Sequence, residues 1–258
     1  MSQIEHEVRG KVVWLRINRP DTLNSIDEDA ATELRDAVKG HLDAGVIVIS
    51  GCGRGFCSGG YLADLATIDP LAVRRLYAAT LDLFEAIRLA PAPVIAAVNG
   101  VAAGGGNELV VACDLAIAAE SATFAQTGPR IGSSPVFGGA NLAAMSVGEK
   151  RAKEISLLCR RYTASEAHAM GWINAVVPDA ELDNEVMRWA DELLAKSPRY
   201  LEITKMSSNV WWNMLRGTYT EGMGMLVQAI GSHDMREGAL AFMEKRAPQF
   251  EPRERVGQ

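Results

Sequence analysis

The chain has 258 residues, 48% of them hydrophobic and 22% charged, a composition that suits a soluble globular protein and excludes disordered and fibrous classes. Its 26 Lys and Arg stand against 32 Asp and Glu, and the resulting charge of −6 opposes broad attraction to a phosphate backbone or an anionic lipid surface. Neither nucleic acid nor membrane is therefore an expected partner.

Along the chain, Ile4 to Arg9 and Val12 to Ile17 are alternating or apolar runs parted by Gly10 and Lys11, which predicts a β-hairpin ended by the turn Asn18-Arg19-Pro20-Asp21. Ser25-Ile26-Asp27-Glu28 has the form of a capping box, with Ile26, Ala30, Leu34, Ala37, Val38 and Leu42 following at helical spacing. Val46 to Ser50, bounded by Gly45 and Gly51, predicts a strand buried on both faces. A glycine-rich turn from Gly51 to Gly60 comes next. A helix from about Leu71 to Leu89, a strand from Val94 to Val98, a second glycine turn, a helix from about Gly105 to Cys113 and a strand from Leu115 to Ala119 complete the rhythm. The uncharged stretch Leu89 to Asn107 is broken by Pro91, Pro93 and Gly104 to Gly106, so it reads as a buried strand and turn rather than a membrane helix. This alternation predicts an α/β domain over residues 1–195. From Asp183 the pattern is helical, with Val186, Trp189, Ala190, Leu193 and Leu194 on one face and a stop at Ser197-Pro198. No linker intervenes, and residues 196–258 are expected as a helical region of the same domain.

The four cysteines, Cys52, Cys57, Cys113 and Cys159, form no ligand cluster, and no basic region followed by an apolar run opens the chain. Both observations point to reduced, buried thiols in a cytoplasmic protein without a metal. His6, His41, His168 and His233 show no mutual spacing that suggests a metal site or a triad. Asp114, after Cys113, sits where a helix-to-strand cap is expected.

Two glycine clusters follow predicted strands: Phe56-Cys57-Ser58-Gly59-Gly60-Tyr61 and Gly104-Gly105-Gly106-Asn107-Glu108. Glycine lets backbone approach a ligand closely, and free N–H groups at a turn or helix start stabilise a developing oxyanion. Neither cluster has the lysine of a phosphate loop or the G-x-G-x-x-G spacing.

Taken together with Val98-Asn99-Gly100-Val101-Ala102-Ala103, Ala112-Cys113-Asp114 and the terminal Phe242-Met243-Glu244-Lys245-Arg246-Ala247-Pro248-Gln249-Phe250, these clusters resemble the crotonase (enoyl-CoA hydratase/isomerase) superfamily in order and spacing, over nearly the whole chain. The resemblance implies a spiral of ββα units with a C-terminal helical region, a homotrimer or dimer of trimers, and a coenzyme A thioester as substrate with no separate cofactor. It implies that the N–H groups of Gly60 and Gly105 hold the thioester oxygen as an enolate forms. It also matches Phe242 and Lys245 to positions that meet the adenine and ribose phosphate of coenzyme A, often across a subunit boundary. Enoyl-CoA hydratases place water with two glutamates; Glu108 matches the first, and the second falls on Gly128.

The segment Ala125-Gln126-Thr127-Gly128-Pro129-Arg130-Ile131-Gly132-Ser133, with Leu158-Cys159-Arg160-Arg161-Tyr162 and Met170-Gly171, is similar to the ring-closing and ring-opening branch of the superfamily, which includes dihydroxynaphthoyl-CoA synthase, ketocyclohexanecarboxyl-CoA hydrolase and oxocyclohexenecarbonyl-CoA hydrolase. The synthase pattern is lost at Tyr61, Pro135, Ser156 and about Ile230, whereas Gly132-Ser133-Ser134-Pro135 resembles the oxocyclohexenecarbonyl-CoA hydrolases. These comparisons imply hydrolytic C–C cleavage of a cyclic acyl-CoA, with hydration or isomerisation of an enoyl-CoA as the alternative. Tyr61, Ser133 and Ser134 join Gly128 as candidate substrate-binding residues. A noncatalytic coenzyme A- or RNA-binding relative is a third reading; RNA-binding relatives use a lysine-rich face, where the helix from Leu71 offers only Arg74, Arg75 and Arg88. Met206, Met214, Met223 and Met225 with Trp211 and Trp212 are expected in core and subunit packing or, alternatively, on an acyl-pocket wall.

Overall fold

The computed structural model describes residues 2–60 and 69–250. The hairpin forms as the alternation requires, β1 (Ile4–Arg9) pairing antiparallel with β2 (Val12–Ile17). Helix α1 (Glu28–Gly40) begins later than a capping box at Ser25 predicts: its cap is Asp27, whose carboxylate accepts from the Ala30 N–H at 2.9 Å. An ionised cap satisfies both the orphan amide and the helix dipole. Ile26 is meanwhile held outside the helix by its N–H bond to Gly59 O at 2.8 Å, and Leu42 lies exposed beyond the helix end.

From β3 (Val46–Gly51) onward the chain repeats one pattern. It lays β3 in a first sheet and β4 (Gly55–Cys57) in a second, then packs α2 (Pro70–Leu89). β5 (Val94–Val98), β6 (Val101–Ala103) and α3 (Gly105–Ala112) repeat it, and β7 (Leu115–Ala119) with β8 (Thr123–Ala125) start a third round. There follow α4 (Ala143–Val147), α5 (Glu149–Leu158), β9 (Arg161–Thr163), α6 (Ala164–Ala169), β10 (Ala175–Val177) and α7 (Leu182–Leu194). The first sheet has the order β1-β2-β3-β5-β7-β10 and the second β4-β6-β8-β9, so successive ββα rounds wind into a spiral. Parallel pairing joins β2, β3, β5, β7 and β10, and their side chains divide by parity between two cores. One face carries Leu15, Ile49 and Val98 toward α1 and α2; the other carries Trp14, Val48 and Ile117 under Leu182, Val186 and Ala190 of α7. That two-sided burial explains the continuous apolar run of β3.

Three helices, α8 (Pro198–Ser208), α9 (Val210–Gln228) and α10 (His233–Met243), complete the described chain. Lys205 fastens α8 to the sheet. Its buried Nζ meets Asp114 Oδ2 at 2.7 Å, Ile87 O at 2.9 Å and Ala92 O at 3.0 Å, while Asp114 Oδ2 also accepts from the Val94 N–H at 2.8 Å. Asp114 is thus the half-buried pole of an ion pair with buried Lys205, because a fully bonded ammonium arrives from a helix 91 positions away, and not the simple cap that local sequence suggests. α10 lies across the 3-10 turn Gly128–Ile131, where a Cβ on Gly238 would stand 2.3 Å from Ile131 C and one on Gly132 2.3 Å from Asp234 O.

One other expectation changes. All four thiols are free, but only Cys57 and Cys113 are buried; Cys52 and Cys159 are half-buried. His6 Nδ1 and His41 Nε2 lie 3.2 Å apart, brought together by packing of α1 on β1. Among the described residues no group of His, Cys, Asp and Glu is arranged to hold a metal, and no helix is long and apolar enough to cross a membrane.

Candidate active site

The two glycine clusters meet at the ends of β4 and β6. Gly59 adopts φ 99°, and a Cβ there would lie 2.7 Å from Ala103 O and 3.0 Å from Gly105 N; only glycine fits so close an approach. A Cβ built on Gly105 would in turn be 3.6 Å from Gly60 N, so the two amides border one small space. Neither N–H donates to an acceptor among the described residues. Gly105 is also the first residue of α3, whose positive dipole end points into that space. Gly106 seats the helix: its Cβ position is 1.9 Å from Cys57 O, which locks α3 against β4.

One turn into α3, Glu108 is 4% exposed. Its Oε1 accepts from the Phe137 N–H at 2.8 Å and the Gly139 N–H at 3.1 Å. The carboxylate therefore bonds the loop after the 3-10 turn and leaves the amino end of its own helix uncapped, so it is not a helix cap. Its other oxygen has no protein donor among the described residues. Burial pushes the Glu108 carboxyl up to about 7, against the opposing pull of the Gly139 and Phe137 amides.

Gly60, Gly105 and Glu108 line one cavity of about 280 Å³ together with Leu76, Tyr77, Phe137, Gly128, Ser133, Ser134 and Phe242. Phe242 reaches it from α10 of the same chain. Gly128 is more than an absent acid. A Cβ on it would stand 2.9 Å from Ser134 Cα and 3.1 Å from Pro135 Cδ, so the 133–135 backbone occupies the place of a side chain. Lys245 lies exposed beyond α10 with φ 56° and does not reach the cavity, and Tyr61 falls outside the described residues. No methionine among the described residues lines this cavity; Trp211 and Trp212 line a second one, of about 230 Å³, beside Arg88 and Asp114. Sequence reasoning missed the Gly138-Gly139 loop and Gln126, both of which border Glu108. The signal was available in the paired glycines and in a lone amide directly after an apolar strand.

Two unpaired amides beside a carboxyl poised near neutrality can hold a developing oxyanion and move a proton at an adjacent carbon. The chain matches the family model described as enoyl-CoA hydratase/isomerase over residues 7–253. It is similar to an enoyl-CoA hydratase from Mycobacterium avium subsp. paratuberculosis K-10, with 32% identity, a TM-score of 0.87 and coverage of 97% of this chain and 99% of that one. An enoyl-CoA hydratase from Bacillus anthracis gives 30% identity and a TM-score of 0.79, covering 96% and 99%. A carnitinyl-CoA hydratase from Mycobacterium avium gives 29% identity and a TM-score of 0.86, covering 97% and 99%.

Proposed function

The chain belongs to the enoyl-CoA hydratase/isomerase family, and from that membership we propose that it binds an acyl-CoA thioester, holds the thioester oxygen on the Gly60 and Gly105 N–H groups as an enolate forms, and moves the proton with Glu108. The observation that carries this reading is the convergence of both unpaired amides and the buried carboxylate on one cavity. In the ionised form Glu108 takes a proton from the carbon beside the thioester or from water. The electron pair passes to the thioester oxygen, and the protonated acid then returns the proton. Such a sequence serves hydration or isomerisation of an enoyl-CoA. Arg130 and Arg161 add positive charge to the wall, which suits the anionic coenzyme.

Ring-opening C–C hydrolysis is the second reading. Gly128 favours it, because the second acid of a two-acid water addition is missing at this position, no other acid than Glu108 lines the cavity among the described residues, and the space is filled by Ser134. Mass spectrometry of products from linear and cyclic acyl-CoA thioesters separates the readings. A hydroxyacyl product indicates hydration, an unchanged mass with a moved double bond isomerisation, and a ring-opened dicarboxylic product C–C hydrolysis. No turnover of any thioester in the panel would overturn the proposal. We further propose a homotrimer or dimer of trimers acting without a cofactor beyond the coenzyme A of its substrate.

A further inference from the structure

We infer that Thr127 binds an oxygen atom on the β-carbon of the acyl group, which makes the substrate or product of this chain a β-oxygenated thioester. The inference rests on the acyl-CoA reading above and deepens it. Thr127 is half-buried, lines the cavity and stands at the amino end of the 3-10 turn Gly128–Ile131. A threonine in that position ordinarily commits its hydroxyl to the first amides of the turn. This one makes no cap bond, nor any other hydrogen bond to the described residues. Unlike the Gln126 amide and the Tyr77 hydroxyl, it is not among the buried atoms closed to water. It is an open, unused hydrogen-bonding group on the cavity wall.

Strand topology fixes what the hydroxyl faces. β4, β6 and β8 run parallel as neighbours, and Ala125 of β8 lies abreast of Ala103 of β6. Their carboxyl ends lead to Gly60, Gly105 and Thr127 in that order, on the side of a parallel sheet where ligands bind. The Gly104 N–H donates to Ala125 O at 3.0 Å, and a Cβ on Gly104 would lie 3.3 Å from Thr127 Oγ1, so the hydroxyl lies beside the peptide that carries the Gly105 amide. Neighbouring strands stand about 4.8 Å apart. A thioester oxygen held between Gly60 and Gly105 is thus one strand away from Thr127, and the hydroxyl meets a second oxygen of the same molecule. Glu108 gives the direction along the substrate. Gln126, directly before Thr127, packs with Glu108 around Gly139, where a Cβ would be 2.1 Å from Gln126 Nε2 and 3.0 Å from Glu108 Cγ. The end of β8 is therefore on the side of the two amides where the acyl carbons react, and the second oxygen is the one on the β-carbon. A threonine hydroxyl both donates and accepts, so it serves a β-hydroxyl or a β-oxo group while all proton transfer stays with Glu108.

Two thioesters that differ by one oxygen, acetoacetyl-CoA and butyryl-CoA, test the assignment by calorimetric titration, with exchange of the butyryl α-protons in D2O followed by NMR. Thr127→Val keeps the shape and removes the hydroxyl. It should weaken acetoacetyl-CoA about fivefold to tenfold, the effect of one lost hydrogen bond. Butyryl-CoA affinity, α-proton exchange and melting temperature should change little, since no cap bond is lost. Thr127→Ser should keep the unaltered affinity for both thioesters, and Thr127→Ala removes the same hydroxyl without added bulk if the valine variant does not fold. Equal weakening of both thioesters, or loss of exchange, overturns the inference, because the hydroxyl then serves the part of the molecule that the two share. Unchanged acetoacetyl-CoA affinity in the valine and alanine variants overturns it as well. Those outcomes leave the acyl-CoA reading intact, whereas failure of the unaltered protein to bind either thioester removes that reading and the inference with it.

Discussion

Burying Glu108 lowers stability wherever the carboxyl is ionised. Its proton is held more tightly in the fold, with the carboxyl near 7, than at the ordinary value of 4.5, so the folded state binds more protons between those values. Stability therefore falls as pH rises through that window, and the cost is complete above it at about 3 kcal/mol. Glu108→Gln should raise the melting temperature at pH 8, with the gain shrinking toward pH 5, while turnover drops by about 10²–10⁴. Calorimetry and steady-state kinetics across pH check both. In the unaltered enzyme kcat/KM should climb with an inflection near 7 if the ionised form is the base. Gly128→Glu, which on paper restores the second acid, should instead cost about 1–3 kcal/mol, since its Cβ meets Ser134 Cα at 2.9 Å; a stable variant with faster hydration would contradict this. Glu108 was legible in the sequence because its motif is local and glycine-bounded. The Phe137 and Gly139 amides that bond it were not, because 29 and 31 residues of chain separate donor from acceptor.

Among elements, α1, α2, α7 and the strands β1, β2, β3, β5 and β7 of the first sheet announced themselves by period and burial, whereas the three-residue β10 and the bounds of α8 to α10 did not. The second sheet did not. β4, β6, β8 and β9 have three residues each, too few for any alternation to emerge above the glycines around them. They nevertheless set the site, since β4 and β6 end at the two amide-bearing turns. Equally hidden was the clasp between α8 and the sheet, which joins residues distant in sequence. Lys205→Met should cost about 1–3 kcal/mol by leaving the Ile87 and Ala92 carbonyls without their donor and half-buried Asp114 with the Val94 N–H but no ammonium, and adding Asp114→Asn should recover part of that loss. Denaturant midpoints of the two variants test it; equal midpoints for Lys205→Met and the unaltered protein would show that the clasp contributes nothing.

For the whole molecule, the hydrophobic fraction marked a globular protein and the alternation of strands and helices an α/β one, but the surface that α8 to α10 present shows only in three dimensions. Met214 and Met225 are 67% and 68% exposed, with Tyr200 and Trp211 exposed nearby in the chain. Apolar surface of that kind is characteristic of contact between subunits. Light scattering at micromolar concentration should give a trimer or hexamer, and a Met214→Glu, Met225→Glu double variant should shift it toward smaller species. A monomeric unaltered protein would reject the proposed assembly.

The seat of α10 on the 128–131 turn has a consequence for synthesis. The ribosome makes both amide-bearing glycine turns and Glu108 early, yet Phe242, which closes part of the cavity wall, belongs to the last of the described helices. A nascent chain arrested before His233 carries every proposed reacting group in an open trough, with Gly132 and Ile131 bared where the helix packs. Competence to enclose a thioester thus waits until α10 has been made.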